Sequence, residues 1–529
     1  MSPSRIIQSG PISAGEVAPQ PLFAVGAVLL ASFLANFDSR LFAIALPDLR
    51  GAQSLSFDEG AWLSTAATAS QIMVAPAVAW MATAYGLRRV LGIPSILYAL
   101  VSLLIPFSHG YEALMLLSAI RGLLLGIFVP ATLMIVFRNL PIKWWLPAIS
   151  IYAIRVGFSL NFGVAMVGFY VEQVGWQWLY WQDALIAPLM GLFVYLGTPA
   201  QAVDRTLVRQ ADWGGMLLLG AGMAMVYAGL DQGNRLDWLG SGIVIALLGC
   251  GAALVAGFFL NESIVAHPWA HANVIFSRNI GLCLVIILLF SLTSLSNSLL
   301  APNFLIVVAG LRPEESGQLF LVYAILPMVV LLPLSVWMIR RYDVRLILLA
   351  GLVAFCAAGL LGTQLTAQWS LADFIPMVLL QSFGQVFTLL PLIVITVSNS
   401  DPKRATAFSA YLQVFRLGGV EISISLMSTW LRVREQLHSN VLGLHVAGGD
   451  PIVLGILTKL KAYFLAHGAA EAQPRAVGTL AELVARQANT LSYLDGFWLT
   501  FWFGVAALLC AACIAPTPPG PFTPNGAAR

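Results

Sequence analysis

Long apolar stretches without a charged residue constrain this chain more than any other feature of its sequence. Residues 279–311 and 374–400 contain no Asp, Glu, Lys or Arg. A helix needs about 20 mostly apolar residues to cross a bilayer, and each of these stretches is long enough. Of the 529 residues, 59% are hydrophobic and 10% are charged, whereas soluble domains carry about 25% charged residues. The sequence therefore predicts a polytopic membrane protein.

Clusters of charge, proline and glycine divide the chain into fourteen predicted spans, numbered 1 to 14 in chain order. They cover 22–46, 61–83, 90–107, 113–137, 146–170, 179–197, 213–230, 239–260, 280–300, 317–339, 346–366, 374–398, 405–430 and 496–515. The remaining long segment, 431–495, contains two stretches with apolar residues at helical spacing, 451–467 and 477–494. We expect these stretches to form two amphipathic helices that lie on the outer surface, as a cap or as a docking surface for a partner.

The orientation follows from the lysines and arginines of the short loops, because positively charged loops stay in the cytoplasm. With the N-terminus inside, only Arg50, Arg235 and Arg312 fall in short outer loops, and most of the other loop lysines and arginines fall inside. The sequence predicts that both termini are cytoplasmic and that 431–495 is periplasmic. The first apolar run lacks a small-residue cleavage site, so we expect a retained helix and not a signal peptide.

Ionisable side chains inside a membrane are costly and usually mark a cavity or a partner. Asp38 in span 1 and Arg121 in span 4 have the residue types that proton coupling requires: a carboxylate, and a cation that can modulate its proton affinity. A static buried ion pair is the alternative. Asp183 lies at the boundary of span 6.

Four further ionisable residues are candidates for a substrate cavity: Arg40, Arg155, Arg416 and Glu421. Arg40 points away from Asp38 on a regular helix and could instead extend to the outer surface. Because arginines outnumber carboxylates in the spans, the interior leans positive, which favours an anionic or weakly acidic aromatic cargo.

Other chemistry is not indicated. The net charge of +3 is too small for a nucleic-acid partner, and the five cysteines lie in apolar runs without zinc-ribbon spacing. Nucleotide-binding, hydrolase and metalloprotease motifs are missing from the sequence, so we expect no enzyme, metal or cofactor, and any pumping would use an ion gradient. Small residues instead indicate close helix packing at Gly122 and Gly126 in span 4 and at Gly163 and Gly168 in span 5.

Several of these segments resemble the fourteen-helix branch of the drug:proton antiporters in the major facilitator superfamily. Residues 38–47, DSRLFAIALP, look like the branch signature of span 1, with Arg40 where threonine is usual. The stretch from Gly163 to Gly168, followed by the WQW of 176–178, is similar to the antiporter motif. Gly86, Arg88 and Arg89 resemble the gating loop between spans 2 and 3, although Thr83 replaces its aspartate.

The resemblance extends to the bacterial members that work with a periplasmic adaptor. It rests on 236–238, 302–305, 416–419 and the segment from 486 to 497, in the expected order. It implies an all-α integral membrane protein with the major facilitator fold, in which two six-helix bundles are joined by a two-helix insert. The bundles would be 1–200 and 271–529, with 201–270 as linker and insert.

The implied function is proton-coupled efflux of amphipathic or aromatic small molecules, such as drugs or toxic organic compounds, across the inner membrane. A periplasmic adaptor and an outer-membrane channel are the implied protein partners. A proton-coupled importer or a siderophore or metabolite exporter of the same fold is an alternative, because a fold does not fix cargo or direction. A non-transporting membrane sensor is another, since the motifs in the loop between spans 2 and 3 and in span 5 depart from the family pattern.

Overall fold

A computed structural model describes residues 20–108, 110–141, 145, 148, 170–311, 315, 319–399, 405–446, 450–467 and 471–515. All regular secondary structure in these ranges is helical. Most of predicted span 5, with Arg155, Gly163 and Gly168, lies outside the described residues.

The first half of the chain contains nine α-helices, counting described residues only. They are α1 Pro21–Ala52, α2 Phe57–Val74, α3 Val78–Tyr85, α4 Leu87–Leu104, α5 Tyr111–Asn139, α6 Trp178–Gly197, the short α7 Arg205–Arg209, α8 Trp213–Leu236 and α9 Gly242–Ile264.

The second half of the described chain contributes nine more. They are α10 Arg278–Leu295, α11 Ala301–Val307, α12 Leu326–Ile339, α13 Val344–Gly362, α14 Leu371–Ser398, α15 Ala405–Gln413, α16 Gly419–His445, α17 Pro451–Ala466 and α18 Ala472–Ala512.

Some predicted spans are built from more than one helical segment. A π-helical turn, Ser296–Leu300, joins α10 to α11 just before Pro302, and another, Leu321–Ile325, precedes Pro327. Proline has no backbone N–H to donate to the helical hydrogen bonds, which explains why the winding of the helix changes at these two sites. A third π-helical turn, Val414–Gly418, joins α15 to α16.

Ten helices of the described chain are long and apolar enough to cross a membrane. The apolar part of α1, Pro21–Ala35, is a shorter candidate. The prediction of a polytopic helical membrane protein agrees with this architecture, while the number fourteen stays a prediction.

The two halves of the chain repeat the same packing pattern. In the first half α4 packs against both α5 and α6, and in the second half α13 packs against both α14 and α18. The insert helices α8 and α9 pack against each other, and α8 also contacts α2 of the first half and α16 of the second. These contacts agree with two bundles and an insert, although the predicted boundaries at 200 and 270 stay predictions.

The buried apolar residues of the described chain form three clusters. The largest contains residues of both halves and surrounds the loops at Gly86 and Asp343, with Ala84 and Leu87 on one side and Ile339 and Val344 on the other. At the opposite end of the molecule, one cluster contains only residues of the first half and another only residues of the second. Within the described ranges, the two halves therefore share a buried core only at the end that carries these loops.

The outer segment differs from its prediction in one respect. The stretch 451–467 does form a helix, α17, but 477–494 is not a separate amphipathic helix. It is the first part of α18, a continuous helix of 41 residues that also contains most of predicted span 14. Such a helix is about 61 Å long, about twice the thickness of a bilayer core. Since no proline interrupts it after its first turn, the chain stays helical, and the first part of α18 stands out from the membrane.

Cysteine labelling tests the predicted orientation. In a variant without the five native cysteines, Gly478→Cys on the exposed first part of α18 should react with a membrane-impermeant maleimide in intact spheroplasts. Ala202→Cys, an exposed position between α6 and α7, should react only after the membrane is opened. The reverse pattern would show that the orientation drawn from the basic residues is wrong.

Candidate functional site

Arg121 lies between two aspartates in the interior of the first half. One terminal nitrogen of its guanidinium, Nη2, is 2.9 Å from Oδ2 of Asp38 and 2.6 Å from Oδ2 of Asp183. Both aspartate side chains have no solvent exposure, and that of Arg121 is 9% exposed. The three side chains form a buried cluster, called here the Asp38–Arg121–Asp183 triad.

Neutral polar groups also form hydrogen bonds with the triad. Arg121 Nε donates to Ser102 Oγ at 3.1 Å, and Ser102 Oγ donates to Asp183 Oδ2, also at 3.1 Å. The Tyr98 hydroxyl donates to Asp38 Oδ2. The guanidinium carbon lies 5.0 Å from the ring centre of Tyr98 and 5.1 Å from that of Tyr180. Aromatic faces at this distance stabilise a cation without adding negative charge.

Helix geometry explains why these groups converge. Tyr98 and Ser102 are four residues apart on α4, and Tyr180 and Asp183 are three apart on α6, so each pair shares one helix face. The α1, α4, α5 and α6 helices, which carry all the triad groups, pack together.

Gly122, the residue after Arg121, allows α5 to pack close to α2. A Cβ atom on Gly122 would lie 2.0 Å from the carbonyl oxygen of Ala67, and one on Gly126 would lie 2.5 Å from the carbonyl oxygen of Gln71. Any side chain at Gly122 would therefore push α5 away from α2, so the Gly122 and Gly126 step allows the close crossing.

The charges of the triad do not balance when all three groups are ionised. One guanidinium faces two carboxylates, which leaves a net charge of −1 in a buried site. The carboxylates bind the same nitrogen and lie close enough to interact with each other. Within the described residues, Oδ1 of Asp38 and Oδ1 of Asp183 accept no hydrogen bond. One added proton would neutralise the site, because carboxylates this close share a proton more readily than they bear two charges.

A second polar cluster connects the insert helix α8 to α2. Thr65 Oγ1 donates to Asp231 Oδ2 at 2.5 Å, and Arg235 Nε donates to Gln232 Oε1 at 2.6 Å. Arg235 also forms an ion pair with Asp58. This cluster also has two carboxylates and one guanidinium, but the Asp58 side chain is 71% exposed, so water stabilises its charge, whereas both carboxylates of the triad are buried.

The comparisons with known proteins identify the family. The model of the Major Facilitator Superfamily matches residues 28–420. The chain belongs to this superfamily. It is similar to the multidrug export protein EmrB of Escherichia coli K12, with 23% identity over 484 residues, which cover 90% of this chain and 91% of that protein. It is also similar to the fatty acid resistance protein FarB of Neisseria gonorrhoeae, with 22% identity over 420 residues, 79% of this chain and 82% of that protein.

A solved structure supports the fold independently of these relatives. The major facilitator proton:xylose symporter XylE, bound to a glucose derivative, matches with a TM-score of 0.56 and 12% sequence identity. The match covers 92% of this chain and 94% of the symporter chain. The predicted superfamily and its all-helical fold are thus confirmed, and at this identity the symporter says nothing about cargo.

The structure brings together the two residues proposed for proton coupling and adds others. Asp38 and Arg121 do form an ion pair. Asp183 was predicted only as a boundary residue, but α6 begins at Trp178 and carries Asp183 into the packed interior. Asp183 lies three residues after Tyr180, and this spacing could have indicated that the two side chains share one helix face. Tyr98 and Ser102 gave none, because neutral polar residues in a span have no distinctive pattern.

The structure describes the side chains of two of the four candidates for a substrate cavity, Arg416 and Glu421, and neither belongs to the triad. Arg416 lies in the π-helical turn Val414–Gly418 and donates to Gln413 Oε1 at 3.1 Å, and Glu421 lies in the first turn of α16. Arg40 lies on α1, but its side chain, like the whole of Arg155, lies outside the described residues. Their role in binding cargo stays a prediction.

The loop at Gly86 in the first half and the loop at Asp343 in the second half occupy corresponding places, and an arginine after each loop makes an equivalent contact. Gly86, with a φ of 83°, ends α3 and starts α4, and Arg88 Nε donates to the carbonyl oxygen of Thr198 at the end of α6. In the second half Arg345 Nη1 donates to the carbonyl oxygen of Ile514, just after α18. Two hydrogen bonds of this kind at corresponding places indicate an internal repeat.

The partners of the basic residues in these loops differ. Arg345 forms an ion pair with Asp343 at 2.7 Å, and its hydrogen bonds lower the pKa of that carboxyl below the usual range. Arg89 Nη1 donates to the carbonyl oxygens of Tyr85 and Gln201, at 3.4 and 3.5 Å. The arginines of the first loop thus bind carbonyl groups where the second loop has a carboxylate.

Loss of the arginine charge should destabilise the protein in a pH-dependent way. Arg121→Gln leaves two buried carboxylates without a cation and should cost about 3–5 kcal/mol. The loss should be largest near pH 8 and shrink near pH 5, because protonated carboxyls need no counter-charge. The measurement is thermal unfolding of the purified protein in detergent at both pH values.

Arg235→Gln is the matched control for this experiment. It removes an arginine whose partner Asp58 is 71% exposed, so the loss should be smaller than in Arg121→Gln and should change less with pH. Equal losses in the two variants, or a loss in Arg121→Gln that is independent of pH, would contradict the charge account of the triad.

Proposed function

We propose that this protein exports amphipathic organic compounds from the cytoplasm across the inner membrane in exchange for protons. Membership of the superfamily and similarity to relatives named for multidrug export and fatty acid resistance support transport of such compounds. The observation that carries proton coupling is the Asp38–Arg121–Asp183 triad, a buried cluster whose net charge changes between 0 and −1 with one proton.

The proton would act through the charge of the triad. With a proton on the carboxylate pair, the site is neutral and can remain in the low-dielectric interior at little cost. Without it, the site carries a net negative charge, which is costly in an apolar environment and favours access to water or a compensating group. A conformational change between these two states would let a proton entering from one side drive cargo out on the other.

The distribution of the core supports movement of the two halves. In the described residues the halves share buried contacts at the end with the Gly86 and Asp343 loops, and each has its own core at the opposite end. With the predicted orientation, this arrangement is closed on the cytoplasmic side. Breaking the shared contacts and closing the other end would complete alternating access, as expected for bundles that rock around a central cavity.

The charge argument for an anionic cargo becomes weaker. It counted Arg121 among the free positive groups, but two carboxylates offset that charge. The remaining support comes from Arg40, Arg155 and Arg416. We therefore assign the cargo as an amphipathic or aromatic compound without fixing its charge.

The outer segment is the proposed site for a periplasmic adaptor. Exposed apolar side chains recur along the outer end of α16 at Val433, Leu437, Val441 and Leu444, with a spacing of three or four residues. A regular apolar stripe of this kind on a helix is suited to pairing with another helix. The triad does not depend on this partner.

Asp38→Asn should abolish gradient-driven export while the protein remains at its normal level in the membrane. Asparagine has about the size of aspartate, but its amide does not bind and release a proton, so its charge cannot change. Efflux of a fluorescent amphipathic dye from loaded cells, measured with and without a protonophore, gives the rate. We expect the protonophore to stop export in wild-type cells. In cells with the variant, export should be missing even without the protonophore.

Asp231→Asn provides a matched control, because Asp231 is an aspartate of α8, a helix of membrane-spanning length, and the side chains that donate hydrogen bonds to it are neutral. This variant should export at close to the wild-type rate. Full export by Asp38→Asn would exclude Asp38 as the coupling group, and export that continues in wild-type cells with the protonophore would exclude proton coupling altogether.

A further inference from the structure

A groove lies between α4 and α6 on the side of the first half that carries the Gly86 loop. Its volume is about 580 Å³. It runs along the first half of α4 and the second half of α6, two helices long and apolar enough to cross a membrane, and its mouth lies where α4 begins and α6 ends. The groove is separate from the triad, and none of the triad residues lines it.

The mouth of the groove is positively charged. Arg88 and Arg89 both line it, in the first turn of α4, where the helix dipole also favours an anion. Each has only carbonyl hydrogen-bond acceptors in the described chain, and no carboxylate there forms an ion pair with either. The Arg88 guanidinium also lies 4.7 Å from the ring centre of Tyr195.

Below the mouth, the groove is apolar. Ile93, Ile96 and Leu192 line it and are 57%, 56% and 51% exposed. Gly92 is the small residue between these side chains and the arginines, and a Cβ atom there would meet no atom within 4 Å. The groove therefore has room above the backbone of α4 and continues from the charged mouth along the face of the helix that would contact lipid.

We propose that this groove binds an anionic phospholipid, with its phosphate at Arg88 and Arg89 and an acyl chain along Ile93, Ile96 and Leu192. A soluble phosphate would use only the mouth, whereas a lipid also buries apolar area along the groove, and each buried CH₂ adds to binding. With the predicted orientation, the lipid belongs to the cytoplasmic leaflet. The site would stabilise the junction of α4 with the end of α6, where Arg88 already contacts Thr198.

The test uses native mass spectrometry of the purified full-length protein. Dioleoyl phosphatidylglycerol and dioleoyl phosphatidylcholine are added separately to the detergent solution, and the retained lipid is counted. The wild type should retain one molecule of phosphatidylglycerol at concentrations where phosphatidylcholine is lost. The double variant Arg88→Gln and Arg89→Gln should retain it roughly tenfold more weakly or worse, since each basic group near a lipid surface contributes several-fold to binding.

Three further measurements separate binding in the groove from general effects. Arg88→Lys with Arg89→Lys keeps the charge and should retain phosphatidylglycerol better than the glutamine pair. Gly92→Phe fills the groove without removing a side chain and should weaken retention, whereas Gly249→Phe, at an equally open position on α9, should not. Glycerol 3-phosphate should compete poorly because it lacks the acyl chains.

Three outcomes would overturn the proposal. They are equal retention of both lipids by the wild type, undiminished retention by Gly92→Phe, and complete displacement by glycerol 3-phosphate, which would show a soluble-anion site.

Discussion

The permanent charge of Arg121 is the constraint on which the first half of this transporter depends. A guanidinium does not lose its proton in a protein, so a buried arginine has to be neutralised by other groups. Here the carboxylates of Asp38 and Asp183 both bind Nη2, and Ser102 accepts a hydrogen bond from Nε. Four helices, α1, α4, α5 and α6, have to pack closely for these bonds to form. The same requirement leaves one carboxylate in excess, which is the basis of the proposed proton coupling.

Movement of the two halves requires that this cluster stay intact while other contacts change. The triad lies wholly within the first half, and Gly122 holds its arginine helix directly against α2. The contacts between halves involve other residues: they lie in the shared core near the Gly86 loop, where α2 meets the turn Val414–Gly418, and where α8 meets α16. Where α8 meets α16, the side chain of Asn234 donates to Thr429 Oγ1 at 2.9 Å. Proton binding and the rocking of the two halves would therefore use different contacts, and the net charge of the triad would couple them.

Hydropathy predicted the class, the resemblance of short motifs predicted the superfamily, and the ionisable residues in the spans indicated the pairing of Asp38 with Arg121, because each depends on strong local signals. They did not predict the role of Tyr98, since a contact between distant helices leaves no mark on a neutral polar residue, and they left Asp183 as a boundary residue although it lies three residues after Tyr180 on α6. The second outer helix was wrongly predicted as separate because its amphipathic pattern changes near Asp495 while the backbone stays helical through Gly496. Asp231 was missed for a related reason: hydropathy ended the span at residue 230, whereas α8 continues to Leu236.

Infrared difference spectroscopy tests the central claim, that the triad holds one exchangeable proton. The protein in lipid is compared at acid and alkaline pH, and the C=O stretch of a protonated carboxylic acid is followed in the wild type, Asp38→Asn, Asp183→Asn and the double variant. We predict a band that disappears as the pH rises, that is altered in each single variant and that is missing from the double variant. An unchanged band in the double variant, or a wild type in which both carboxyls stay ionised over the whole pH range, would contradict the account.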